Sequence, residues 1–156
     1  MFASTFEKQL DLKRRFVVPA EFRALVSGPF DGIICFPSFE ADCIEGGGKA
    51  LFDRHMAMIE ELDFADPLRT AIETEVLGGQ VRMTFDTAGR VTVPEALCAQ
   101  FGLTDQVTLV GLGDRFQIWE PEAFKTHRIA QRTLIRQDLP AFRRAQRAAK
   151  IGGVGV

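Results

Sequence analysis

The sequence predicts a β-rich α/β fold assembled from two copies of one small unit. Three observations carry that expectation. DLKRRFVVPAEFR at 11–23 is echoed by DTAGRVTVPEALC at 86–98, so that Asp11, Arg15, Val18 and Pro19 fall on Asp86, Arg90, Val93 and Pro94 at a constant offset of 75. The runs FVV and VTV are aromatic or β-branched and short, as strands are. Each run ends at a proline, which suits the first position of a helix because its missing N–H is not needed there.

After each proline the apolar spacing is helical. Phe22 shares a stripe with Leu25 and Val26; Leu97 shares one with Phe101, and Gly102 is a natural C-cap. VTLVGLG and FQIW read as two further strands separated by a turn. IICFPSFE at 33–40 aligns with QIWEPEAF at 117–124 if Pro37 falls on Pro121, an offset of 84 that gives the second copy about nine extra residues. A unit this small leaves an apolar face exposed when alone, so two copies are expected to pack as a pair.

Residues 46–81 read differently. GGGK at 46–49 is a flexible turn, and HMAMIEELDF a short amphipathic helix. Asp66 is an N-cap, Pro67 a first helical residue, and LRTAIETEVLGG a helix closed by glycine. Past Trp119, PEAFKTHRIAQRTLIRQ continues as a helix, Pro140 opens another in PAFRRAQRAAK, and IGGVGV frays. The organisation is therefore a first repeat at 5–53, a connecting helical segment at 54–79, a second repeat at 80–124 and a basic helical segment at 125–156.

Composition sets limits on the partner. The chain has 156 residues and a net charge of −2, but 125–156 hold eight Lys or Arg against one Asp, leaving an acidic body. Such a tail binds anions, binds the acidic body of another copy, or forms a solvated helix; the charge alone leaves all three open. Cys35, Cys43 and Cys98 make no CxxC pair, which fits a reducing compartment. The N-terminal stretch has no leader pattern and no run reaches membrane-span length, so a cytoplasmic protein without a membrane partner is expected.

An Asp four residues before an Arg at a strand start is open to two readings. It is a turn staple used only for folding, or a turn that presents Lys13, Arg14 and Arg15 to phosphates or base edges. LDLKRRFVVPAEFR and FDTAGRVTVPEALC resemble the paired Asp-x-x-x-Arg motifs of the MraZ family of bacterial transcriptional regulators, and QIWEPEAF resembles that family's segment after the second repeat. The likeness covers roughly residues 1–145. It implies duplicated AbrB-like swapped-hairpin barrel units with accessory helices. It also implies a ring-shaped homo-oligomer, nucleoid-associated, that binds repeated promoter sites in double-stranded DNA and represses the division and cell-wall gene cluster.

Position by position, the resemblance makes Lys13, Arg14, Arg15 and Arg90 DNA-binding residues, with Asp11 and Asp86 supporting the motifs. Arg14 replaces the glycine usual at that place, as Gly89 keeps it, and is expected to add a phosphate donor. Thr87 and Ala88 leave the second motif with Arg90 only, so the first copy is expected to supply more of the contact. The rival reading is a non-enzymatic assembly protein whose Asp–Arg pairs are staples.

Other chemistry is poorly supported. His55 and His127 share no ligand spacing with the cysteines, which read as buried thiols beside surface imidazoles. GGGKA lacks the frame of a phosphate loop, and no Ser, His and acidic trio stands out. Trp119 and the phenylalanines sit in apolar alternation and read as packing residues. Neither cofactor nor metal is expected, and no enzyme activity.

Overall fold

A computed structural model describes residues 1–26 and 31–154, the side chain of Val154 excepted. The first half runs β1 (Thr5–Gln9), β2 (Arg15–Val17), α1 (Ala20–Leu25), β3 (Gly32–Pro37) and β4 (Ile44–Gly47). Two helices follow, α2 (Lys49–Glu60) and α3 (Pro67–Glu73), the second extended by a π-helical turn at Thr74–Gly78. The second half repeats the first: β5 (Val81–Thr84), β6 (Arg90–Thr92), α4 (Glu95–Phe101), β7 (Gln106–Gly111) and β8 (Phe116–Trp119). The final helix, α5, spans Pro121–Val154. Two compact units result, Met1–Pro121 and Glu122–Val156.

Mixed α/β structure is confirmed: six antiparallel strands form one sheet in the order β1-β7-β8-β4-β3-β5. Exchanging each strand for its counterpart in the other half leaves this order unchanged when read backwards. The halves interleave, because β1 pairs with β7 and β5 with β3. A local twofold relation passes through the directly opposed pair Glu45 and Gln117 on β4 and β8. It passes again through Phe16 and Val91 in a separate two-stranded ribbon, where β2 pairs with β6. FVV and VTV thus meet each other, and each strand begins at its arginine, one residue earlier than the apolar runs.

The pairing corrects part of the expected repeat alignment. Gly32 lies opposite Thr84 as Gln106 lies opposite Gln9, which makes β3 the counterpart of β7. QIW belongs to β8, whose counterpart is β4, so Pro37 does not correspond to Pro121 and the second copy carries no nine-residue excess. Trp119 corresponds to Gly47. Local similarity around proline misled because strand partners are chosen by long-range register.

The core is where the two halves meet. Phe16, Val18, Phe22, Ile33 and Cys35 from the first half join Val91, Val93, Val107, Leu109, Phe116 and Ile118 from the second in one cluster. Phe22 packs tilted on Phe116 at 5.2 Å, and the Phe2 and Phe6 rings meet Phe22 edge-on at 5.1 and 5.4 Å. Leu25 departs from the expected stripe and is half exposed, since α1 has only six residues and turns Phe22 inward. At the twofold, the Gln117 amide donates to Glu45 at 3.3 Å and the Trp119 indole donates to Gln117 at 2.9 Å. Arg115 stands 3.5 Å from the same buried carboxylate, compensating a charge that would otherwise be costly away from water.

Around this centre the helices follow their caps. Asp66 accepts from the Leu68 amide at 2.9 Å with Pro67 first in α3, and Gly102 closes α4 in the left-handed region, both as expected. GGGK is not a free turn: Gly46 and Gly47 end β4, and Lys49 begins α2. His55 is buried rather than superficial, its Nδ1 donating to the Leu51 carbonyl and its ring edge-on to Phe36. It lies one turn from Leu51 and from Ile59 on the buried stripe of α2. Burial raises the thiols of Cys35 and Cys43, the latter to about 12, which leaves them as packing groups.

Helix α5 runs unbroken through Pro140, where a second helix was expected to begin. An internal proline costs about 3 kcal/mol, and the Ala-, Arg-, Leu- and Gln-rich sequence on both sides offsets it by favouring helix. The frayed end read from IGGVGV is helical as far as Val154, and 155–156 lie outside the described residues.

Phe116 is the ring on which the halves converge, and truncating it leaves a cavity the interleaved strands cannot close. Phe116→Ala is expected to lower stability by about 3–5 kcal/mol, read as a reduced urea midpoint with an unchanged slope.

Candidate nucleic-acid interface

Each Asp-x-x-x-Arg motif is a turn closed by its own carboxylate. The Asp11 amide donates to the Arg15 carbonyl at 2.9 Å and the Arg14 amide to the Asp11 carbonyl at 2.9 Å. Oδ1 of Asp11 accepts from the amides of Lys13 and Arg15, both at 2.9 Å, while Oδ2 accepts from the Arg15 Nε at 2.8 Å. The second motif repeats this bond for bond. Asp86 takes the amides of Ala88 and Arg90 at 2.9 and 2.8 Å and the Arg90 Nε at 2.7 Å. Short polar side chains in turns bond their own backbone in this way, and these two also fix a guanidinium.

The turns hold the ends of the ribbon in register. The Val18 amide donates to the Gly89 carbonyl at 3.1 Å, and its twofold counterpart, the Val93 amide, donates to Arg14 at 2.8 Å. Strand alternation then sorts the side chains. Phe16 and Val91 enter the core, while Arg15 opposite Thr92 and Val17 opposite Arg90 share the outer face. Arg15 and Arg90 therefore stand diagonally on one surface. Only the Nε of each is committed to its aspartate; among the described residues their Nη groups have no hydrogen-bond partner. Lys13 is exposed at the tip of the first turn, where the second has Ala88.

Arg14 does not project freely beside them. Its backbone is left-handed, φ 60°, at the place where Gly89 has φ 75°, so the turn demands a conformation that glycine adopts more readily. Its Nε donates to the Val93 carbonyl at 3.1 Å across the ribbon. The Arg14 side chain is thus partly engaged in binding the two halves together. Burial raises the thiol of neighbouring Cys98 while the Arg14 charge opposes that rise.

Arg23, which the repeat alignment does not single out, enters the same neighbourhood. From α1 its Nη1 donates to the Val18 carbonyl at 2.9 Å. A Cβ added to Gly89 would collide with its guanidinium. The available signal was a second exchange at the 75-residue offset, Arg23 against Cys98, to be read with Arg14 against Gly89.

Other candidate chemistry finds no assembly here. Among the described residues no group of three or more His, Cys, Asp or Glu is placed to hold a metal ion. No helix among them is long and apolar enough to cross a membrane. Trp119 is buried and serves packing and the Gln117 bond.

Both motif carboxyls lie below the ordinary aspartate value. For Asp11 the Arg15 amide is the largest cause; partial desolvation opposes it, and the Arg15 guanidinium and Lys13 amide add to the lowering. For Asp86 the Arg90 amide leads in the same way. A depressed folded-state pKa means the stabilisation is complete above the unfolded value, near 4, and is lost as pH falls through the folded value. Hydrogen exchange at the Arg15 and Arg90 amides is therefore expected to lose protection below about pH 4. An Asp11→Asn, Asp86→Asn chain should lack that acid-dependent step.

Comparison with known proteins places this geometry in a family. The family described as "MraZ protein, putative antitoxin-like" matches residues 76–149. A Transcriptional regulator MraZ from Phenylobacterium zucineum (strain HLK1) is 70% identical over 155 residues, covering 99% of this chain and 97% of the relative. The protein of the same name from Caulobacter vibrioides (strain NA1000 / CB15N) is 67% identical over 153 residues, 98% of each chain. That from Rickettsia akari (strain Hartford) is 38% identical over 128 residues, covering 81% of this chain and 86% of the relative. These relationships support a role in transcriptional regulation, and the Phenylobacterium and Caulobacter relatives match nearly the whole chain, both motifs included. The chain belongs to the MraZ family.

Proposed function

We propose that this chain regulates transcription by placing its β2–β6 ribbon in the major groove of double-stranded DNA. The observation that supports this most strongly is the diagonal pair Arg15 and Arg90, each immobilised through Nε with its Nη groups left over. A groove about 12 Å wide admits a two-stranded ribbon, and an Arg fork matches guanine O6 and N7. Holding the guanidinium in advance reduces the rotamer entropy lost on binding. Lys13 adds a phosphate contact at one end, and Asp11 and Asp86 act indirectly by holding the turns.

In this reading the repeats at 5–53 and 80–124 are AbrB-like units, their hairpins swapped across the local twofold. The segment 54–79 connects them and 125–156 forms the basic helical extension. The interleaved strand order favours that description. One chain neutralises few phosphates and its body is acidic, so tight binding requires several copies acting together. A closed ring of subunits supplies that avidity when the DNA carries repeated promoter sites. In this reading those sites belong to the division and cell-wall gene cluster, repression is the outcome, and the protein is cytoplasmic and nucleoid-associated.

The second reading, an assembly protein whose Asp–Arg pairs only fold the turns, draws on the same bonds to Asp11 and Asp86. The two differ in what the leftover Arg donors do. If they read bases, Arg15→Ala removes about 1–3 kcal/mol of discrimination per site. Arg90→Ala should cost less than Arg15→Ala, because Lys13 reinforces only the first motif. Mobility shifts of specific and scrambled duplexes at one salt concentration measure this, on oligomers of matched mass. Unchanged binding by an Arg14→Ala, Arg15→Ala chain of normal size would favour the staple reading. Light scattering is expected to give a closed multiple of 17.3 kDa across micromolar concentrations; monomer alone would remove the ring.

A further inference from the structure

We infer that Arg23 is a DNA phosphate contact that completes the second motif, standing in for the arginine that Gly89 lacks. The inference rests on the DNA-binding reading and extends it to a residue outside both motifs. In the first turn, Arg14 reaches the Val93 carbonyl. The local twofold carries that bond onto the Val18 carbonyl, where Arg23 donates at 2.9 Å. Arg14 and Arg23 thus bind equivalent carbonyls at opposite ends of the ribbon, although they come from different elements.

The exchange is reciprocal. Gly89 has no side chain, and the Arg23 guanidinium occupies the space one would need. The residue at the Arg23 offset in the second half is Cys98, small and buried, beside Arg14. Each end of the ribbon therefore holds one arginine and one small residue with their positions exchanged. The motif that looks depleted in sequence, with Thr87, Ala88 and Gly89, carries a guanidinium after all. Arg23 borders an open cleft of about 420 Å³ with Asp86, Thr87, Ala88 and Gly89. Asp31 and Phe85 also border it, so the Asp31 carboxylate shares the cleft with that guanidinium.

The chemistry fits a backbone contact more than a base contact. With Nη1 committed to Val18, the guanidinium sits at the second-turn end of the ribbon, beside Gly89, and in this reading the sugar–phosphate strand next to a groove-bound ribbon passes it there. Phosphate contacts act on all sequences alike and appear in the salt dependence. Both ends of the ribbon would then clamp the strands on either side of the groove.

The test uses the full-length oligomer and two duplexes, one selected by the wild-type protein from a random pool and one scrambled. Arg23→Gln retains an N–H donor for the Val18 carbonyl but removes the charge. It is expected to keep oligomeric mass and Tm, to weaken both duplexes by the same factor, and to lower the salt slope by about 0.9 per engaged subunit. Arg23→Cys should weaken binding likewise, and adding Gly89→Arg should restore it by reproducing the Arg14 and Cys98 arrangement. Unchanged affinity and slope in Arg23→Gln, beside weakened binding in Arg15→Ala, would overturn this inference alone. So would a Gly89→Arg, Arg23→Cys chain of normal mass that fails to recover. A wild-type oligomer that enriches no duplex from the random pool and shifts none would overturn the DNA-binding reading and this inference with it.

Discussion

The carboxylate of Asp11, and that of Asp86 in the same manner, accepts two backbone amides through one oxygen and an arginine Nε through the other. This one arrangement sets the turn, the start of the strand and the direction of the guanidinium together. The turn places Arg14 and Gly89 where their carbonyls receive the Val93 and Val18 amides, and those bonds bring β2 against β6. The ribbon then points Phe16 and Val91 into the core and leaves both arginines outside. Surface ion pairs are generally worth little to stability. Here the pair's consequence is geometric: it selects one rotamer for a residue that faces solvent.

Duplication explains why the device occurs twice and why its parts meet. Neither half closes its own sheet, since β1 needs β7 and β5 needs β3. The aromatic cluster of Phe2, Phe22 and Phe116 draws on both halves, so the core forms only when they interleave. A surface made of two related motifs is then an automatic result of folding. Its symmetry is imperfect at Lys13 and in the Arg14 and Gly89 exchange, and those departures give the two ends of the ribbon different chemistry.

Features with a local cause were legible in the sequence. The Asp-to-Arg spacing, the β-prone runs, Pro67 after Asp66 and Gly102 after α4 all depend on neighbours within a few residues. What depended on distant partners was not. The equivalence of β3 with β7 is decided by ladders to strands 46–52 and 97–105 residues away, and the Pro37 and Pro121 resemblance pointed elsewhere. His55 had the spacing of a buried stripe with Leu51 and Ile59, but its polarity argued for the surface until the Leu51 carbonyl supplied a partner. Pro140 is a local breaker overruled by the helix-forming sequence on both sides. Within the candidate interface, the motif residues could be named in advance, whereas Arg23 reaches the second turn from the first half and shows in the sequence only as the Arg23 and Cys98 exchange at the repeat offset.

The central claim is that the β2–β6 ribbon lies in the major groove, and chemical probing of bound DNA tests it most directly. Dimethyl sulfate methylates guanine N7 in the major groove and adenine N3 in the minor groove, so one footprint of a selected duplex distinguishes the two. Protection confined to guanine N7 at regularly spaced half-sites is the result expected from paired Arg15 and Arg90 contacts. Protection confined to adenine N3, with guanine N7 fully reactive in the bound duplex, would contradict it.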